Sequence, residues 1–77
     1  MNLFYVTIEQ YELLQAIGTD KFGHLTDVII KLNALEVGLE GDRHVFGFRS
    51  EEDRDHALMA LKHYGFVTVE VEDHAHS

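Results

Sequence analysis

Residues 49–71 read RSEEDRDHALMALKHYGFVTVEV, and how this stretch divides decides the architecture of the chain. Ser50 is a residue type suited to a helix N-cap, with Asp53 three positions on. Glu51 and Glu52 would fall in the first turn, where carboxylates meet the positive end of the helix dipole. Ala57, Leu58, Leu61 and Tyr64 then recur on one helical face. Lys62 and His63 fall at the negative end. Gly65 can adopt the left-handed conformation that stops a helix, and Phe66 is placed to pack back against it. Val67, Val69 and Val71 alternate with Thr68, Glu70 and Glu72, so the spacing predicts a closing strand.

Upstream, LEVGLEGDRHVFGFR at 35–49 alternates on both sides of Gly41-Asp42, the signature of a hairpin. Leu25, Val28, Ile29, Leu32 and Leu35 sit at i, i+3, i+4, i+7 and i+10, which predicts a helix; the β-branched run at 28–30 leaves a strand as the alternative. GTDKFGHLTD at 18–27 carries two glycines and is expected to be a kink or loop. LFYVT at 3–7 has strand composition. TIEQ at 7–10 fits a capping box on Thr7, leading into a helix near 8–17 whose apolar face would be Tyr11, Leu14 and Ile17.

The order is therefore strand, broken helix, strand, strand, helix, strand. The simplest packing is an α+β, ferredoxin-like two-layer sandwich: a four-stranded antiparallel sheet with the helices on one face. Residues 1–72 would form the single domain and 73–77 a flexible tail.

Composition narrows the function. Fourteen acids against six bases give a formal charge of −8. Direct nucleic-acid binding needs Lys and Arg against phosphate, and an anionic membrane surface is disfavoured for the same reason. A basic protein partner is favoured, steered by charge and weakened by salt. Without cysteine there is no disulfide, thiolate chemistry or cysteine zinc site. The N-terminal MNLFYVTIEQ lacks a basic n-region and a long apolar core, so no signal peptide is expected and the default location is cytoplasmic. At 77 residues the buried core is small, and homodimerisation would be one way to enlarge it.

Alternation along the strands sorts the side chains into two faces. Phe4, Val6, Val37, Leu39, Phe46, Phe48, Val67, Val69 and Val71 are expected on the helix side. Tyr5, Thr7, Glu36, Glu40, Val45, Arg49, Thr68, Glu70 and Glu72 are expected on the open side. That open face would be acidic. Glu36, Glu40, Glu70 and Glu72 would supply charge to a partner, and Tyr5 and Val45 would act as apolar anchors. Like charges on neighbouring strands repel, so either solubility or a basic partner would account for keeping them.

VFGFRSEEDRDHALMAL, residues 45–61, resembles the third strand and second helix of an RNA-recognition motif. In that family exposed aromatics on the third strand stack RNA bases among basic residues. The resemblance implies a shared architecture only. Here alternation turns Phe46 and Phe48 inward and leaves Val45 outward, in a chain of charge −8.

Six histidines raise the question of a metal site. His56 and His63 are seven apart, about 10 Å along a helix, too far for one ion. His74 and His76 would lie in a frayed tail. No serine triad, phosphate loop or paired-carboxylate signature is present, and Ser50 is accounted for as a cap. The expectation is a small, acidic, non-enzymatic protein-binding module, a regulator, inhibitor or nucleic-acid mimic, with no cofactor and no metal. The alternative is a ligand- or metal-responsive oligomer, prompted by the histidines.

Overall fold

The first strand runs further than its capping-box sequence suggests. In the computed structural model, which describes residues 2–72, β1 spans Phe4–Glu9 and passes directly into helix α1, Gln10–Ala16. The side chains of Glu36 and Val37 lie outside the described set, as do residues 73–77 with their expected tail, His74 and His76. Thr7 is not a cap. It sits within β1, paired with Val45 on one side and Glu70 on the other. The N–H of Gln10 donates instead to the carbonyl of Asp42 at 2.7 Å. A side-chain cap contributes about 1 kcal/mol. A strand hydrogen-bonded on both sides outweighs it.

Helix α1 ends in a tight turn. Ile17 is extended, Gly18 takes φ +86°, and the Thr19 N–H reaches the Ala16 carbonyl at 3.0 Å. This is the type II pattern, which needs a positive φ at its third residue. Helix α2 then spans Asp20–Lys31, so most of the expected loop at 18–27 is helical and Gly23 lies inside it. Leu25 and Val28 are buried, with Ile29 and Leu32 packed beside them. The helix alternative for 25–34 therefore holds as far as Lys31. Leu35 begins a strand instead. Asn33, at φ +52°, ends α2. The N–H of Ala34 reaches the Ile29 carbonyl and that of Asn33 the Ile30 carbonyl, as in a Schellman cap.

The hairpin forms as its sequence predicts. Strand β2 is Leu35–Glu40 and β3 is Arg43–Phe48; Glu40 pairs with Arg43 across the two-residue turn Gly41-Asp42. Its one irregularity is a bulge between Glu36 and Gly38. Helix α3, Glu51–His63, begins where Ser50 Oγ accepts the N–H of Asp53 at 3.1 Å. It ends in a second Schellman cap. Gly65 takes φ +100°, and the Phe66 N–H donates to the Leu61 carbonyl at 3.0 Å. Phe66 is buried, the apolar contact that commonly accompanies that motif.

The closing strand is shorter than expected. β4 covers only Glu70–Glu72. Val69 is buried, but Val67 is 82% exposed and Val71 is exposed, so neither is the core residue that the valine alternation suggested. The backbone N–H groups of Val67 and Thr68 donate to a side chain of α1 rather than to a neighbouring strand.

The strands lie in the order β2-β3-β1-β4, every pair antiparallel. This is a ferredoxin-like sandwich whose first helical layer is split into two. Val6, Ile8, Phe46 and Phe48 face the helices and meet Leu13, Leu25, Val28, Ala57 and Leu61 in one core. The parity expected for Phe46 and Phe48 holds. The aromatic positions that would stack bases in an RNA-recognition motif are here core.

Candidate protein-binding face

The other side of the sheet is assembled by register. Paired residues share a face, so three rows can be followed across the strands. One row runs Leu35, Gly47, Tyr5, Glu72. The next runs Gly38, Val45, Thr7, Glu70. The third, beside the hairpin turn, runs Glu40, Arg43, Glu9. Among the described residues the face carries four carboxylates, Glu9, Glu40, Glu70 and Glu72, around one guanidinium, Arg43.

Arg43 is the centre of this surface. Its Nε donates to Thr7 Oγ1 at 2.9 Å and one terminal nitrogen to Glu9 Oε1 at 2.8 Å. The other donates to the Thr68 carbonyl at 3.0 Å and lies 3.7 Å from Glu70. The guanidinium thus lies across Thr7, which explains why that threonine is 2% exposed. Its fork of donors suits this bridging role, which lysine would not fill.

Glu12 is the second unexpected residue. It projects from α1 into the protein and is 4% exposed. Its carboxylate accepts the N–H of Val67 at 2.7 Å, the N–H of Thr68 at 2.9 Å and the Thr68 hydroxyl at 2.5 Å; Lys21 Nζ stands 3.4 Å away. Burial pushes its pKa up. The Thr68 hydroxyl, the two N–H groups and Lys21 together outweigh that, and the net shift is downward. The Thr68 hydroxyl oxygen also accepts the Glu9 N–H at 3.0 Å. Glu12, Thr68, Glu9, Arg43 and Thr7 therefore form one network that ties the segment before β4 to the β1–α1 junction.

The residues singled out from sequence fare differently. Tyr5, Glu40, Glu70 and Glu72 fall on the open face, with Glu70 strongly exposed. Val45 is on that face too, opposite Thr7, but it is 0% exposed and cannot be an anchor. It is a short side chain on a central strand, with Arg43 and Tyr5 in the rows on either side. Glu36 pairs with Phe46 just before the register shift between Glu36 and Gly38; its side chain is outside the described set. Arg49 lies beyond the end of β3.

Arg43 and Glu9 were not singled out. The two-residue turn that puts Arg43 opposite Glu40 was the signal for the first, and a longer β1 would have shown the second. Sequence offered no signal for Glu12, which reads as a solvent-facing helix position.

Two grooves mark other parts of the surface. A shallow groove of about 510 Å³ runs along α3 past Glu52, Asp55, His56, Met59, His63 and Tyr64. Tyr64 also stacks on His24 from α2, with ring centroids 4.2 Å apart. A second groove, about 320 Å³, lies between α1 and the hairpin turn. Among the described residues no cluster of three or more metal-ligating side chains occurs, and no helix is long and apolar enough to cross a membrane. No family model, curated protein or solved structure matches the chain.

Proposed function

We propose that this protein is a small, acidic, non-enzymatic binding module that docks a basic protein through the open face of its sheet, as a regulator, inhibitor or nucleic-acid mimic. One observation carries the reading. The helices cover one side of the sheet only, and the side left open gathers four carboxylates around a single arginine. That arginine is held by Glu9, Thr7 and Thr68, so it cements the surface and does not project from it. Exposed carboxylates at the corners meet the partner first. Complementary charge of this kind raises the association rate and sets orientation more than it adds affinity.

The test is charge reversal. Glu40→Lys with Glu70→Lys should leave thermal unfolding nearly unchanged, since exposed ion pairs are worth little. It should weaken capture of a basic partner from cell lysate by about tenfold or more, chiefly through slower association. Wild-type capture should fall as salt rises, because the Debye length shrinks from about 10 Å at 0.1 M. Undiminished capture by the reversed variant would remove the sheet face from the interaction.

The groove along α3 favours a second reading, a ligand-responsive protein. Its lining of aromatic, imidazole and thioether groups could hold a small organic molecule. A thermal-shift panel of zinc, nickel and metabolites decides it. A ligand at one hundred times its Kd adds about 2.7 kcal/mol, a plain rise in Tm.

A further inference from the structure

We infer that the groove between α1 and the β2–β3 turn seats an apolar side chain from a basic amphipathic segment of the partner. The inference rests on the binding-module reading above and gives it a specific anchor point.

The apolar face of α1 points the wrong way for a core. Tyr11, Leu14 and Ile17 hold the helical spacing of a buried stripe, yet they are 55%, 60% and 57% exposed. Glu12, Leu13 and Ala16 take the inward positions instead. Glu12 is held there by its bonds to Val67 and Thr68, and this fixes the rotation of the helix. Tyr11 and Leu14 lie about 4.5 Å apart along the helix at 1.5 Å per residue, and Ile17 follows at its C-terminal cap. Single exposed apolar residues need no explanation, but an aligned ridge beside a groove marks an interaction surface.

The groove supplies the chemistry of the occupant. Its lining is Glu9, Gln10, Tyr11, Leu14 and Asp42: two apolar walls, two carboxylates and no base. The hydrogen bond from Gln10 to the Asp42 carbonyl, 2.7 Å, pins the turn to the helix and keeps the groove formed. Glu9 is engaged by Arg43. Among the described residues the Asp42 carboxylate has no ion-pair partner. A leucine or phenylalanine flanked by lysine or arginine would place its apolar group on Tyr11 and Leu14 and its cation at Asp42. A second copy of this chain would bring like carboxylates together between molecules each carrying −8. Charge complementarity therefore selects a cationic partner over self-association.

Two labelled peptides of equal composition test this by fluorescence anisotropy at low salt. One places leucine and lysine at amphipathic helical spacing; the other scrambles them so that no apolar face forms. The ordered peptide should bind the wild type about tenfold more tightly than the scrambled one, a difference of about 1.4 kcal/mol. Leu14→Ser should abolish that difference. Ile30→Ser, at an exposed position on α2 outside both grooves, should preserve it. Unfolding curves for the two variants should match that of the wild type. Equal binding of both peptides, insensitive to Leu14→Ser, would mean that charge alone attracts them; the groove is then refuted while the acidic face stands. Binding of neither peptide refutes the groove, and charge-reversed capture then judges the acidic face separately. A wild-type dimer in sedimentation that Leu14→Ser dissolves would show a second copy on the ridge and overturn the inference.

Discussion

Glu12 shows how one side chain can redirect two segments. A carboxylate 4% exposed is costly unless its lone pairs are met, and here two N–H groups, a hydroxyl and an ammonium meet them. These bonds hold residues 67–68 in place without a strand ladder. The Val67 and Thr68 amides should therefore exchange slowly with deuterium although Val67 itself is exposed. Glu12→Gln should speed that exchange and destabilise the fold by about 1–3 kcal/mol, the range for weakening bonds to buried donors. The pH dependence has a definite sign. Because the folded-state pKa lies below the ordinary value of 4.5, the ion's contribution is complete above that value and is lost as pH falls through the folded pKa. Wild-type stability should drop through this acid window more steeply than that of Glu12→Gln, as urea melts at a series of pH values would show.

At the scale of elements, two glycines in or beside helices should respond in opposite directions. Gly23 lies inside α2 at an ordinary helical φ, and a Cβ there meets nothing within 4 Å. Gly23→Ala should stabilise the protein by about 0.5–1 kcal/mol. Gly65 ends α3 at φ +100°, where a side chain strains the backbone even though the nearest atom, on Lys21, is 3.7 Å away. Gly65→Ala should cost about 1–2 kcal/mol. Thermal melts of the pair separate the two effects. The same local rules explain what was legible in the sequence. Ser50, Gly41 and Gly65 each dictate their own backbone, so α3 and the hairpin could be read directly. Thr7 and Gly23 could not. The cap that Thr7 offers loses to pairing on both edges of β1, and the helical cost of Gly23 is met by the burial of Leu25 and Val28. The acidic face was legible as alternation, but alternation gave no sign of the register shift between Glu36 and Gly38. The inward turn of Glu12 depends on contacts 55 and 56 residues away, beyond any local pattern.

For the molecule as a whole, a small core and a large excess of negative charge set the behaviour. Domains of this size bury roughly 60% of their unfolded surface and sit close to the threshold of stability. Self-repulsion at −8 opposes association between copies of the chain, and under the proposed reading the open sheet face meets a cation-rich partner. The most direct test is affinity capture from lysate with the wild type and the Glu40→Lys, Glu70→Lys variant, each at low and high salt. The account predicts a basic protein held by the wild type at low salt, released at high salt, and held at least about tenfold more weakly by the variant at low salt. Capture that neither salt nor reversal diminishes, or an acidic protein in place of a basic one, would contradict it.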